Sequence, residues 1–280
     1  MAEEVDITTT EEGELRLKGK GVSKGKVEGT VLKSLLPLPL GDSVDLATSN
    51  IVDNESDINE EPIKERVLVF PSIKPSEQYI NTLSSLKEND LAPLALISEI
   101  LEETVTSDAQ KAEIPALVGV DISLVEHGDD VLVSGTGGFV ALKNVTMKKV
   151  ASAVILSQGK VLVLKRSDDV GTYQGRWACV SGYVEKGETP DKTALREVSE
   201  EVGLERDEFK FVRKGRVIYA RDKAILWAVH PFLFKAEKAR ITLDREHIDF
   251  KWIYPEEIGG FVTVPKLDET LRSVLLKEDL

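Results

Sequence analysis

Apolar residues come in short runs along this chain, and the spacing within each run separates strands from helices. In the first half, GELRLKGKG (13–21) and KVEGTVL (26–32) read as strands flanking a Gly/Lys turn. ERVLVF (65–70) and APLALI (92–97) are unbroken apolar runs of strand length, which predicts buried strands. Helical patterns are expected from about Ser76 to Leu86 and again up to about Lys111. IPALVGV, DDVLVS and GGFVAL then predict three short strands, the last two joined by the turn SGTGG. Residues 41–62 are polar and acidic and read as a long loop. The pattern is that of a compact β/β/α domain.

The second half opens with VASAVILSQGKVLVLKRS, a hairpin turning at Gln158-Gly159. WACVSG, FKFVRKGRVIYARD, AILWAVHPFLFKAE and FKWIYPEEI read as further strands, and a last helix is expected from about Lys266 to Lys277. Between the strands lies one strong helix. Thr189 is its expected N-cap, Pro190 its first residue and Gly203 its left-handed end. Glu197, Glu200 and Glu201 are spaced i, i+3, i+4, so their carboxylates share a face, with Leu195, Val198 and Val202 as the core stripe. Such a face repels itself unless a cation sits in it. Hard oxygen ligands without a neighbouring His or Cys suit Mg²⁺ or Mn²⁺.

Composition narrows the picture. The 280 residues suffice for two domains. No apolar run is long enough to span a bilayer and no signal peptide opens the chain, so a cytoplasmic location is expected, with no membrane partner. The lone Cys179 excludes a disulfide framework, and its place in WACVSG makes it a packed residue rather than a nucleophile. Of the 36 basic and 49 acidic residues, residues 1–146 hold 12 and 27, a net of -15, which leaves the rest at +2. An acidic first half repels nucleic acid, which is therefore not expected as a partner. Basic residues of the near-neutral second half are free to meet an anionic substrate.

Gly182, Glu188, Arg196, Glu197, Val198, Glu200, Glu201, Gly203 and Leu204 stand at the intervals of the Nudix box, which this stretch resembles. The resemblance covers roughly residues 147–280 and implies an α/β/α sandwich with a mixed sheet. It implies an enzyme that hydrolyses a diphosphate-linked small molecule of the ADP-ribose or nucleotide type, with Mg²⁺ or Mn²⁺ as cofactor. Glu197, Glu200, Glu201 and Glu185 would hold the metal, Glu200 or Glu201 would take the proton from the attacking water, and Arg196 would fix the loop–helix geometry by pairing with Glu188 or Glu200. Candidate substrate contacts are Lys165, Arg166, Arg176 and Gly182; for the two strand-end cations, solvated charge is an equal reading. Gly182 and Gly187 would let the loop approach phosphates closely. Tyr173, Trp177, Tyr219 and Trp227 are base-stacking candidates that also suit a core, His230 suits a core, and Glu246 in REHID is a further candidate carboxylate. Isopentenyl-diphosphate isomerases of type I share this fold but place Cys where this chain has Ser181, so that activity is not expected.

Gly19-Lys20-Gly21, Lys24-Gly25-Lys26, Glu28-Gly29, Val67–Pro71, Ala92-Pro93 and Glu113-Ile114-Pro115 resemble the swivelling domain of aconitase-X small subunits, over residues 13–145. Residues 1–12 would be a flexible tail and 13–146 the swivelling domain. Phosphohistidine domains share this style of ending but need a His before the Ile-Pro strand; His127 comes after it and reads as a surface residue. In aconitase-X small subunits a Ser after Lys-Gly contributes to a dehydratase site shared with a large subunit. Here the match is Lys74-Pro75-Ser76, with Pro in place of the Gly, and Ser76 reads as a helix N-cap rather than a catalytic Ser. A homodimer and a large aconitase-X-like subunit are the protein partners left open. So are two other functions: a dehydratase subunit tethered to a Nudix enzyme of the same pathway, and a nucleotide sensor without turnover.

Overall fold

The segment GELRLKGKG forms two strands rather than one, because two glycine backbones cross there. In this computed structural model, which describes residues 7–9, 14–74, 81–237 and 240–279, the first half carries nine strands. They are β1 (Ile7–Thr9), β2 (Leu15–Lys18), β3 (Lys20–Ser23), β4 (Lys26–Lys33), β5 (Arg66–Phe70), β6 (Ala95–Ser98), β7 (Ala116–Val118), β8 (Asp130–Ser134) and β9 (Phe139–Leu142). One sheet holds them in the order β1-β2-β9-β8-β4-β5-β6-β7-β3, parallel from β4 to β7. The sheet curls until β3, at its far end, lies on the β8–β9 turn. The Gly19 N–H donates to the Gly138 carbonyl at 2.9 Å, and a Cβ on Gly21 would sit 1.8 Å from the carbonyl oxygen of Gly135.

Helices α1 (Thr82–Glu88) and α2 (Glu103–Lys111) cover this sheet. Asn81 stands at the N-cap of α1 in a left-handed conformation and caps nothing. The cap comes from α2 instead: buried Asp108 accepts the Leu83 N–H at 2.8 Å, the Ser84 N–H at 3.2 Å and the Ser84 hydroxyl. The expected start of this helix at Ser76 lies outside the described residues. Residues 41–62 are not a solvated loop. Val44, Ile51 and Ile58 are buried in one cluster with Leu68, Phe70, Leu83 and Leu86. The acidic side chains stay outside while every few residues an aliphatic one turns in, a spacing too irregular to show as a period.

The second compact unit, Met147–Leu280, is an eight-stranded sheet between two helices. Its strands are β10 (Thr146–Ser157), β11 (Lys160–Arg166), β12 (Trp177–Ala178), β13 (Val180–Tyr183), β14 (Phe209–Lys214), β15 (Ile218–Asp222), β16 (Ile225–Ala236) and β17 (His247–Ile253); its helices are α3 (Pro190–Val202) and α4 (Leu267–Val274). Strand alternation divides the core in two. Ala151, Ala153, Leu162, Leu164 and Val180 pack under α3, whereas Val154, Leu156, Val161, Val163 and Cys179 pack under α4. Gln158 and Gly159 both have positive φ, as a two-residue hairpin turn requires. Pro231 lies within β16, which pairs with β15 before it and β14 after it. The chain segment after α4 is tied back by buried Asp279, which pairs with Arg213 and, at 2.9 Å, with Lys235. Those partners hold its carboxyl down at about 2, against the upward push of burial. Both units are α/β, and among the described residues no helix is long and apolar enough to cross a membrane.

Candidate functional site

Helix α3 begins at Pro190 after Thr189 and ends at Gly203 with φ 68°. Thr189 occupies the N-cap position without a side-chain bond to the helix. The inward stripe is Ala194, Val198 and Val202, with Leu195 only partly buried. Val198 and Val202 are as expected and Ala194 takes the place of Leu195, and this shift has a consequence. It rolls Glu197 and Glu201 inward, where both are buried, and leaves Glu200 exposed.

β13 is an edge strand, hydrogen-bonded only to β10. Its free Ser181 N–H donates to Glu201 Oε2 at 3.2 Å. The Glu197 carboxylate lies against the next residue, so a Cβ on Gly182 would meet Glu197 Oε1 at 1.7 Å. Gly182 lines the cavity, and its missing side chain also makes room for Glu197. Gly187 has φ 86° with open space around it, so only its conformation demands glycine. Burial, and then the charge of Glu197, pushes the Glu201 carboxyl well above the usual range. Burial also pushes Glu197 up, partly offset by Arg196.

The Arg196 guanidinium lies inside this cluster. Its Nη1 lies 2.8 Å from Glu197 Oε1 and 2.8 Å from Glu200 Oε2, while Nε and Nη2 each donate to Glu188 at 3.3 Å. The pair holds the Glu188 carboxyl below its usual range.

Glu185, Arg196, Glu197, Glu200 and Glu201 line one wall of a cavity of about 490 Å³. Its floor is the face of the sheet turned towards α4. Ser181 and Tyr183 of β13 stand opposite Ser152 and Val150 of β10, and Trp227, Val229 and Ala220 continue the floor across β16 and β15. The ring centroid of Trp227 lies 5.9 Å from that of Tyr183 and 6.3 Å from that of Tyr173. Lys148 Nζ sits 5.5 Å over Tyr183 and 5.8 Å over Trp227. The Tyr173 hydroxyl donates to Asp222 at 2.6 Å, and burial together with that bond pushes it up to about 12.

Not every candidate enters the cavity. Arg166 lines it, with its Nε on the Thr172 carbonyl at 3.1 Å. Lys165 does not. It stands in β11 opposite Trp177, and the pairing of β11 with β17 changes register between Lys165 and Arg166. Arg176 is spent on the Thr263 carbonyl and stacks over Tyr173 from outside the lining. Trp177 packs edge-on against Phe261, and Tyr219 is not among the lining residues. His230 is half-buried, with Nε2 unpartnered. Cys179 is buried and pushed up to about 12 by burial and Glu201. In the first unit, Ser76 lies outside the described residues; Lys74 before it pairs with Asp53 at 2.8 Å and Glu55 at 2.9 Å.

Three lining residues escaped sequence reasoning or were read too weakly. Tyr183 follows Gly182 directly and is half exposed. Glu246 and Asp244 come from the connection before β17. That connection is laced to the end of α3 through Thr242 N–H to Val202 O and Asp244 N–H to Glu201 O. Asp244 also accepts from buried His247, whose Nδ1 is 2.9 Å away and whose Nε2 is 3.9 Å from Glu201. The cluster of acids in DREHID was the only available signal.

The donor set is oxygen-only, and two of its carboxylates are buried beside each other, which fits a hard divalent cation. Among the described residues no three acidic or imidazole groups stand close enough to enclose an ion as they are. Arg196 spans Glu197 and Glu200 instead.

A family model for the NUDIX domain matches residues 147–276, and one for the aconitase X swivel domain matches residues 16–142. The phosphomevalonate dehydratase small subunit of Pyrococcus abyssi is 40% identical over 128 residues, which are 46% of this chain and 98% of that protein. Among solved structures, Thermococcus kodakaraensis aconitase X in its holo-form is 37% identical over 45% of this chain and 97% of that one, with a TM-score of 0.44. A C. elegans Ap4A hydrolase in a binary complex is 21% identical over 45% and 93%, with a TM-score of 0.39.

Proposed function

The chain belongs to the aconitase X small-subunit family through its first half and to the NUDIX hydrolases through its second, and from that premise we propose that it is a Mg²⁺- or Mn²⁺-dependent pyrophosphohydrolase acting on a nucleoside diphosphate linked to a further group. The observation that carries this is the joining, in one cavity, of a carboxylate wall to an aromatic floor. Residues 147–280 are the catalytic module in this reading, and 13–146 the accessory one.

Glu197, Glu201, Glu200 and Glu185 are the residues that would hold the cation. When bound, it supplies neutralisation of the diphosphate and activation of water near neutral pH. The chain's own side chains do the rest. Glu200 or Glu201 takes the proton of the attacking water. Arg196, anchored on Glu188, aims the carboxylates, and Arg166 meets the substrate's negative charge. The Tyr183–Trp227 floor stacks a flat base, for which an acyclic isoprenoid diphosphate offers no ring.

The test is hydrolysis of ADP-ribose, nucleoside triphosphates, dinucleoside polyphosphates, NADH and isopentenyl diphosphate with and without Mg²⁺, products being read by mass spectrometry. Metal-dependent cleavage of a nucleotide is expected; binding without turnover would leave a sensor. Tyr183→Ala should raise KM about tenfold with little change in kcat, since stacking contributes about 1–3 kcal/mol equally in ground and transition states. Gly182→Ala should do the opposite. The added methyl moves the Glu197 carboxylate and not a backbone, so folding survives, while kcat falls by about 10²-fold for a displacement on the order of 1 Å.

A second reading has its own support in the 40% identity to a phosphomevalonate dehydratase small subunit over nearly all of that protein. In it, residues 13–146 pair with a large subunit to dehydrate a phosphorylated substrate, and Ser76 takes part. Co-purification of such a subunit with the full chain would favour it.

A further inference from the structure

We propose that Arg196 is a built-in competitor of the divalent cation: its guanidinium holds two of the metal's ligands, and loading requires it to withdraw onto Glu188. This rests on reading the cavity as a divalent-metal site. Nη1 bridges Glu197 Oε1 and Glu200 Oε2 at 2.8 Å each, so the cation charge between these two carboxylates is already provided by the protein. A second, divalent charge on the same oxygens would stand within a few ångströms of the guanidinium, and the two would repel. Glu200 is also exposed on the helix, and among the described residues no three acidic groups stand where they could hold a metal ion as they are. The retreat is prepared. Nε and Nη2 already face both oxygens of Glu188, on the loop before the helix, so Nη1 is released without the side chain losing its anchor. Glu188 therefore sets how readily the site takes up metal, although it touches no metal in this scheme.

A purely structural Arg196 and a competing one give opposite results. The experiment is Mn²⁺ titration of the full chain followed by electron paramagnetic resonance, for wild type, Arg196→Gln, Glu188→Gln and, as a control for general charge, Lys192→Gln on the exposed side of the same helix. Melting curves verify that each variant is folded. Competition predicts that Arg196→Gln binds Mn²⁺ at least about fivefold more tightly than Lys192→Gln does. It predicts that Glu188→Gln, which strands Arg196 on Glu197 and Glu200, binds at least about threefold more weakly than wild type. Weaker or unchanged binding by Arg196→Gln overturns the proposal. So does unchanged or tighter binding by Glu188→Gln, which decides the matter if Arg196→Gln does not fold. No Mn²⁺ binding by the wild type overturns the metal reading itself and is thereby told apart from failure of the competition.

Discussion

Glu201→Gln should lower turnover by at least about two orders of magnitude while leaving the metal-free protein as stable as wild type or more so. The two halves of this result have separate causes. Turnover falls because the amide can neither take a proton nor bind a hard cation as a carboxylate does. Stability holds because the carboxylate is buried next to Glu197 and is costly to keep ionised there. The sign with pH follows from the same upward displacement. The folded chain retains protons that the unfolded chain has released, so its metal-free stability falls as pH rises above the ordinary glutamate value of 4.5. Glu201→Gln should flatten that slope. Exposed Glu200→Gln should lower turnover by a similar factor. Paired measurements of kcat with Mg²⁺ and of melting temperature with chelator across pH separate these effects, and near-normal turnover in both variants would sink the roles assigned to them.

The second large effect is in the other half of the chain. Gly21→Ala should destabilise the swivelling domain by about 3 kcal/mol, at the upper end of overpacking costs, because the obstacle is main chain that cannot rotate away. Gly119→Ala is the comparison. Gly119 has φ 71° but open space, so only conformational strain remains, about 1 kcal/mol. Urea unfolding of the full chain measures both. Equal losses would mean that the crossing of β3 over the β8–β9 turn is looser than its geometry.

These two sites also mark how far the sequence could be read. The box helix, its caps and its three glutamates follow from local rules: a proline start, a glycine end, an i, i+3, i+4 spacing. The hairpin at Gln158-Gly159 and most strands follow from period alone. What the sequence hid depends on contacts between distant segments. Nothing local distinguishes Ala194 from Leu195 as the inward residue, since α3 is rotated by the sheet beneath it. Lys165 and Arg166 look equivalent at the end of one strand, and only the fold shows that Arg166 lines the cavity and Lys165 does not. The glycines of GKG and SGTGG each look like turn residues, and only their meeting explains them. The cap of α1 is carried by Asp108, more than twenty residues away. Tyr183 passed as an ordinary strand residue because its importance comes from Trp227 on another strand.

The lone thiol of Cys179 has a practical use that follows from where it lies. It borders the cavity but is buried, packed under α4 and beside Glu201, so oxidants and alkylating reagents in solution should leave the native protein untouched. When modification does occur, it reports a transient opening of the layer between α4 and the sheet. The rate at which a thiol reagent enters is thus a clock for the breathing of this pocket, read at a single position without labelling or mutation. A substrate or metal ion that settles in the pocket should slow the clock, even when no product is formed.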